Sequence, residues 1–595
     1  MIQKDPREYG FFMPGEWSDH EACWMAWPAR VDLWPDVDAT KKAYADVANA
    51  IAEFESLKLI VKPSMMQDAK KYVSEKVQLI EMEIDDSWTR DSGPNFLVNG
   101  SGSIAGSTWE FNAWGNKFEP YDQDALMGSR ILSLMNAEEY KESLREYSPV
   151  VYIDGEKIKS VADEPRLTPG INAVGVTYEY AQRLEFGKLM LETQASSGKT
   201  VNRMIHINRS CDDLLNKLEA VRLLCRETGC AQRYLSHDAL NAIHQETFRA
   251  DSLDGSDYHE RFISYLHNIQ DRDLTLGVAM TDGKGDRKLR PHQQDHIGSY
   301  VHIKSRGADG ITISGIKAIV TGGPYMHELL VMPCRTMSSS DEAFAVCCAV
   351  PIDAKGLTII SRPAGRPGDD AAKFSAKYGQ STAVCHFEDV FVPWERVFMA
   401  GEYQHSEYLV TNYASHHRHS CIGARAGFGD LLIGAGVIMA EANGLNPEDV
   451  SHIKDSMVEL ITVVEGFFAC GVAASVYGVE DPSGAWQPEP VFANVGKLLL
   501  ATKIYDMHRT AHEVSGGLIV ALPGPEEDHN PETAGDLSTL LKGRSDISYE
   551  RRMEVARLLE DVTASETGGW MSIISLHGGG SPEAMKREIF RRYPI

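Results

Sequence analysis

Several classes of protein are ruled out by what this chain lacks. Its 595 residues include only ten cysteines, two of them adjacent at Cys347 and Cys348, which is no disulfide framework of the secreted kind; reduced thiols, buried fillers or ligands are expected. No basic run stands out and the net charge is -26, the opposite of the cationic surface that binds phosphate backbones, so nucleic acid is excluded as a partner and the acidity reads as solubility. No stretch reaches the ~18 uninterrupted apolar residues of a membrane span. The start, Met1-Ile-Gln-Lys-Asp-Pro-Arg-Glu8, is charged and lacks the apolar centre of a signal peptide, so a cytoplasmic protein without a membrane partner is expected. Solenoid repeats and low-complexity tracts are missing as well.

What is present suggests several cores. With 43% of residues apolar, a prior of roughly one domain per ~150 residues predicts about four. Residues 135–275 read as mostly helical: Ser210 with Asp212 and Asp213 forms an N-terminal cap, Leu214, Leu218, Val221 and Cys225 recur at helical spacing, and Gly229 stops the helix, leaving Cys230 just past its end. Between 276 and 400 the period changes to two, and Gly307-Ala-Asp-Gly310 turns Val301-His-Ile-Lys into Ile311-Thr-Ile-Ser, which predicts a compact antiparallel barrel or sandwich. Helices return from 401 to 595. There Ile453, Met457, Leu460, Val464 and Phe467 form one apolar stripe, read as core or subunit interface.

Residues 1–134 carry Gly10-Phe-Phe-Met-Pro-Gly-Glu-Trp17, Trp24-Met-Ala-Trp-Pro28, Trp88-Thr-Arg-Asp-Ser-Gly-Pro94 and Phe111-Asn-Ala-Trp-Gly115. Together these resemble the start of an agmatine deiminase, a peptidyl-arginine deiminase relative of the pentein family, whose fold is an α/β-propeller. Such hydrolysis needs carboxylates to grip a planar guanidinium and a Cys thiolate to attack it. The resemblance assigns Asp86 and Asp91 to guanidinium binding and Trp114, with Trp88, to the pocket wall. The family's catalytic His and Glu lie in its middle and its nucleophilic Cys near its end; neither region is present here, and Cys23 belongs to a different motif. A truncated propeller segment with exposed strand edges, inactive toward agmatine by itself, is the expectation.

From Met135 a second text begins. Met135-Asn-Ala-Glu-Glu-Tyr-Lys-Glu-Ser-Leu-Arg145, Thr281-Asp-Gly-Lys-Gly-Asp-Arg287, Thr321-Gly-Gly323, Val392-Pro-Trp-Glu-Arg-Val-Phe398, the segment around His417, Ser515-Gly-Gly-Leu-Ile-Val-Ala-Leu-Pro523 and His577-Gly-Gly-Gly-Ser-Pro582 resemble the flavoprotein family of 4-hydroxyphenylacetate 3-hydroxylase and 4-hydroxybutyryl-CoA dehydratase. The resemblance implies a multidomain α+β chain: an acyl-CoA-dehydrogenase-like helical domain at 135–275, a β-barrel flavin domain at 276–400 and a C-terminal helical bundle at 401–595, behind the 1–134 fragment. It also implies FAD, with Thr281, Thr321 and Gly322 at the ring and Gly516 and Gly517 on a loop reaching a neighbouring subunit's flavin, hence a homo-oligomer, taken as a tetramer.

The dehydratase branch of that family adds a [4Fe–4S] cluster on three Cys and one His. Cys230 matches the first thiolate and His417 the histidine, but Tyr234 and Ala424 stand where the other two cysteines belong; Cys421, four residues after His417, is the only nearby substitute. Two carboxylates of that branch are replaced by Thr382 and Ile574, Gln232 and Thr321 remain, and Arg425 stands in place of a Lys. In the hydroxylase branch the substrate-gripping His and Tyr are replaced by Val278 and Ala239, with Arg233 and Tyr234 out of register. Three readings stay open. One is an FAD-dependent oxidoreductase, monooxygenase-like or dehydrogenase-like, acting on an aromatic or acyl-CoA small molecule, with His417, Arg425, Gln232 and Tyr234 at its centre and a separate flavin reductase as partner. Another is a flavin and iron–sulfur lyase. The last is a non-catalytic chimera of two genes, suggested by the natural-looking start at Met135 and by a tail, Tyr593-Pro-Ile595, that stops before the family's final helix.

Overall fold

The computed structural model describes residues 11–18, 22–98, 104–133, 135–183, 186–197, 199–446 and 448–593. The charged start, Gly10 of the first deiminase-like motif and the last two residues of the tail lie outside them. The chain divides into two compact units: 1–136 with 178–202 and 270–273, and 137–177 with 203–269 and 274–595.

The first unit is built on a three-stranded parallel sheet of Cys23–Ala26, Leu57–Val61 and Val77–Glu81. Parallel neighbours need crossover connections, and the helix Val37–Ile51, capped by Asp36 accepting from the Ala39 amide at 3.0 Å, supplies the first. Its buried Ala45 and Ala48 pack with Trp27, Leu57, Leu59 and Val61 into one apolar core. A short hairpin, Asn95–Val98 with Ile104–Ser107, follows.

The second unit places most of its strands in two open sheets. One has the order Leu276–Ala279, Glu328–Val331, Val346–Pro351, Val397–Ala400; the other His302–Arg306, Gly310–Thr321, Thr382–Pro393, Leu357–Ser361, Val150–Ile153, Glu156–Lys157. The Gly307–Gly310 hairpin forms as expected, with Arg306 opposite Ile311. The closed barrel does not: among the described residues neither sheet pairs its first strand with its last. Alternation specifies which face is buried, whereas closure depends on tilt and stagger that no local pattern encodes. The mostly helical reading of 135–275 also missed Val150–Ile153, which pairs in parallel with Leu357–Ser361. A four-residue apolar run becomes a strand only when a distant edge is there to receive it.

Around these sheets stand the helices Cys211–Thr228, Tyr234–Asp254, Ser406–Ala442, Ser451–Val476 and Pro490–Ser515. The first begins at Ser210, whose hydroxyl accepts from the Asp213 amide at 3.1 Å, and ends at Gly229 with φ 70°. The 37-residue helix Ser406–Ala442 packs against the other four. Its close contact with Cys211–Thr228 depends on glycine: a Cβ at Gly423 would lie 2.7 Å from the Leu218 carbonyl oxygen and one at Gly427 2.2 Å from that of Arg222. The stripe Ile453, Met457, Leu460, Val464 and Phe467 is buried. The helices ending at Ala442 and Val476 are long and apolar enough to cross a membrane, but the first is mostly enclosed by its neighbours.

Candidate active site

The long helix carries His417, Cys421 and Arg425 at successive four-residue steps, which puts all three on one face. That face borders a cavity of about 50 Å³ lined also by Tyr234, Leu235, Thr321, Gln380, Lys497, Leu500, Ile574, Ser575 and Gly578. The neighbouring histidines point elsewhere: His416 meets Gln245 Oε1 at 3.3 Å and His419 meets Ser475 Oγ at 2.8 Å. They are buried core residues, and His417 alone of the crowded turn reaches the cavity.

Asp238, from the helix Tyr234–Asp254, fixes the imidazole. His417 Nδ1 donates to Asp238 Oδ2 at 3.0 Å, Ser420 Oγ donates to Asp238 Oδ1 at 2.6 Å, and Lys217 Nζ donates to Ser420 Oγ at 2.9 Å while standing 3.6 Å from the carboxylate. Burial pushes the Asp238 acid up, but the Lys217 ammonium and the two imidazoles of His237 and His417 outweigh it and hold the carboxyl well below its usual range. Cys421 Sγ lies 3.7 Å from His417 Nε2. Burial opposes charge on both groups, yet each ion stabilises the other: the sulfur and Asp238 raise His417 to about 10, while His417, Lys497 and Arg425 bring the Cys421 thiol down to about 7. An imidazolium facing a thiolate follows. Tyr413 and Tyr234 stack on the ring with centroids at 5.3 and 6.3 Å.

Cys230 does not reach this pair. Its sulfur lies 3.4 Å from the Tyr234 hydroxyl, whose ionisation burial pushes up, so a phenol stands beside the one matching thiol. Among the described residues no group of three His, Cys, Asp or Glu side chains could hold a metal ion. A cluster held by four ligands does not fit these donors, and the rearranged set of Cys230, His417 and Cys421 does not come together.

Neutral polar groups border the other side. Gln380 Nε2 donates to Thr321 Oγ1 at 3.3 Å, and Gln380 Oε1 is buried with no hydrogen-bond partner. Such an orphaned acceptor calls for a ligand donor, and the ring N–H of a flavin is of the right kind, so these residues fit that cofactor. Gly322, with φ 69°, turns the chain after Thr321. Gln232 sits behind, accepting from Tyr325 Oη at 2.7 Å and donating to the Gly379 carbonyl at 3.0 Å; it positions the loop that carries Gln380. Thr281, Gly516 and Gly517 are not in the cavity lining. Gly516, with φ 76°, ends the helix Pro490–Ser515, and nothing lies within 4 Å of a Cβ built on Gly517.

Asp238, Gln380 and Lys497 escaped the sequence reading. Lys497 had a signal: it interrupts the helical spacing of buried Ala493, Leu500, Ile504 and Met507, and a lysine on a buried stripe asks for a reason.

In the first unit Asp86 is buried, accepts from the Ser87 amide at 2.8 Å and lies 3.8 Å from Arg30 Nε of the same chain. Asp91 is exposed in the short helix Thr89–Ser92. Trp114 packs edge-on against Trp88 at 5.2 Å and Phe111 at 5.4 Å. Cys23 donates to Glu55 at 3.2 Å, and burial with that carboxylate pushes its thiol up to about 11, the reverse of an activated nucleophile.

Acid–base side chains on a buried helix thus border a small interior cavity opposite the end of a sheet strand. Residues 136–399 match the profile for the 4-hydroxyphenylacetate 3-hydroxylase N-terminal region and 406–595 that for its C-terminal region, while 12–167 match Porphyromonas-type peptidyl-arginine deiminase. The chain belongs to the 4-hydroxyphenylacetate 3-hydroxylase family. It is 36% identical to the 4-hydroxybutyryl-CoA dehydratase/vinylacetyl-CoA-Δ-isomerase of Clostridium aminobutyricum over 77% of its own length and 96% of that protein's. The oxygen-tolerant archaeal 4-hydroxybutyryl-CoA dehydratase from N. maritimus superposes with a TM-score of 0.74 at 36% identity, covering 77% of this chain and 92% of that one. The oxygenase component of 4-hydroxyphenylacetate 3-monooxygenase, complexed with FAD, shares the fold, with a TM-score of 0.69 at 20% identity and coverage of 77% and 96%. An agmatine deiminase of Legionella pneumophila is 39% identical over 25% of this chain, which spans only 44% of that relative's length.

Proposed function

We propose that residues 135–595 form an FAD-dependent oxidoreductase that works without an iron–sulfur cluster on a small organic substrate in the His417 cavity, monooxygenase-like or dehydrogenase-like in its chemistry. The observation that carries this is the pairing of an orphaned Gln380 acceptor beside Thr321 with a donor set in which Tyr234 stands next to Cys230. Bound FAD supplies the electron transfer. Gln380 and Thr321 would hold its polar edge, with Gly322 permitting close approach and Thr281, Gly516 and Gly517 as further contacts. His417 holds a proton at Nε2 and is kept in place by Asp238 through Nδ1, so it can give that proton to substrate while Cys421 or Tyr234 stands by to exchange it. Arg425 orients negative charge in the cavity. We further propose the four-part layout of 1–134, 135–275, 276–400 and 401–595, a cytoplasmic homotetramer, a separate reductase to deliver electrons, and an inactive deiminase-like segment whose Asp86, Asp91 and Trp114 are relics of guanidinium binding.

A second reading, a lyase of the 4-hydroxybutyryl-CoA dehydratase kind, is favoured by 36% identity across nearly the whole of that relative. One experiment separates the two: an anaerobic absorption spectrum of the full chain with flavin, iron and acid-labile sulfide assays on the same sample. Near-stoichiometric flavin without iron is expected. About four iron per chain would overturn the oxidoreductase reading and establish the lyase.

A further inference from the structure

Of the ten free cysteines, Cys421 alone borders the cavity beside the long helix. Elsewhere burial pushes the thiol up, in the core at Cys225 and Cys347 and nearer the surface at Cys211 and Cys470. Cys421 is buried too, but its sulfur faces cations: His417 Nε2 at 3.7 Å, with Lys497 and Arg425 also stabilising its anion. A thiolate in an electropositive pocket is a nucleophile rather than a filler. The surroundings limit what it can attack. A space of about 50 Å³, against roughly 10–15 Å³ for one water by the same kind of measure, admits a reactant of a few heavy atoms and no larger oxidant such as glutathione disulfide. The proton supply narrows the choice further. His417 Nδ1 is engaged by Asp238 at 3.0 Å, so the Nε2 proton, on the side of the sulfur, is the one available to a leaving group. Lys497 Nζ gives one of its three N–H groups to the Ser575 carbonyl at 2.7 Å and keeps donors for an oxygen in the cavity. An acid and a cation beside one sulfur serve a reaction whose leaving group is strongly basic, as hydroxide is; an alkyl halide or a disulfide has less use for them.

We propose that hydrogen peroxide oxidises Cys421 to a sulfenic acid in this cavity, with His417 as the acid. The Cys421 thiolate attacks one peroxide oxygen, the S–O bond forms as the O–O bond breaks, and the departing hydroxide takes the His417 Nε2 proton and leaves as water. Sulfur gives up the electron pair that peroxide gains, and the imidazole ends neutral, still held by Asp238 through Nδ1. The step removes the negative charge that faces Lys497 and Arg425, so it changes the electrostatics of the whole cavity. It goes beyond the oxidoreductase proposed above and needs no bound flavin.

The full-length protein is treated with hydrogen peroxide, catalase ends the reaction, and the chain is unfolded in dimedone, which captures sulfenic acids without having to enter the folded cavity. Peptide mass spectrometry then gives a rate for each cysteine. Cys421 should be captured at least about tenfold faster than Cys211 and Cys470, although both are less buried. His417→Gln and Lys497→Met should each slow Cys421 by at least about tenfold while the rates at Cys211 and Cys470, which report on the fold, stay unchanged. Glutathione disulfide should leave Cys421 unmodified. Capture of Cys421 no faster than that of Cys211, an unchanged Cys421 rate in His417→Gln, or a glutathione adduct at Cys421 would overturn the proposal. The wild-type comparison needs no variant to fold. Flavin content read on the same sample keeps the two ideas apart: selective oxidation of Cys421 without bound flavin sinks the oxidoreductase reading alone, and bound flavin without that selectivity sinks the peroxide site alone.

Discussion

His417 and Cys421 illustrate how two residues of ordinary chemistry become unusual through each other. The Cys421 thiol, lowered to about 7, is stabilising as thiolate above its unfolded value, and that contribution is lost as pH falls through about 7. His417, raised to about 10, contributes fully below its unfolded value and loses the contribution as pH rises through about 10. Both ions coexist between these limits. Thiolate absorbance of the wild type minus Cys421→Ser should therefore show a midpoint near pH 7, and His417→Gln should move it upward past the ordinary thiol value; a wild-type midpoint at that ordinary value would refute the pair. Asp238 makes a sharper demand on stability. Asp238→Asn leaves Lys217 buried without a counter-charge, so urea unfolding should show a loss of about 3–5 kcal/mol, and adding Lys217→Met should recover part of it. At this scale the reading from sequence named His417, Tyr234 and Arg425, which the fold brings to the lining of one cavity. It failed at Asp238 and Gln380, whose roles depend only on what faces them.

At the scale of elements the helices were legible, because capping at Ser210, termination at Gly229 and the stripe from Ile453 to Phe467 are written in consecutive residues. The glycines of the long helix were not, since their reason lies on another helix. Gly427→Ala drives a methyl to 2.2 Å from the Arg222 carbonyl and should cost about 1–3 kcal/mol in thermal or urea unfolding. Gly434→Ala, on the same helix with nothing within 4 Å of the new methyl, should instead stabilise by up to about 1 kcal/mol. Equal effects at the two positions would contradict the close packing described. The strands divide in the same manner: the hairpin at Gly307–Gly310 is local and was foreseen, while Val150–Ile153 joins an edge formed two hundred residues later and was not.

For the whole molecule, a chain of one family begins with a segment that resembles part of another. The deiminase-like part spans less than half of the relatives it matches, and its only cysteine is raised to about 11 beside Glu55. The full chain should release no ammonia from agmatine above a no-enzyme control; turnover abolished by Cys23→Ala would refute this. The resemblance to two kinds of protein and the change from helices to strands and back to helices were determined by the sequence alone, because residue identity and local periodicity are properties of the chain as written. Whether the sheets close, and the meeting of Lys217, Asp238, His417, Arg425, Lys497 and Ile574 around one cavity, were decided by tertiary structure. Those residues come from five separate helices, and only the packing of those helices brings their charges together.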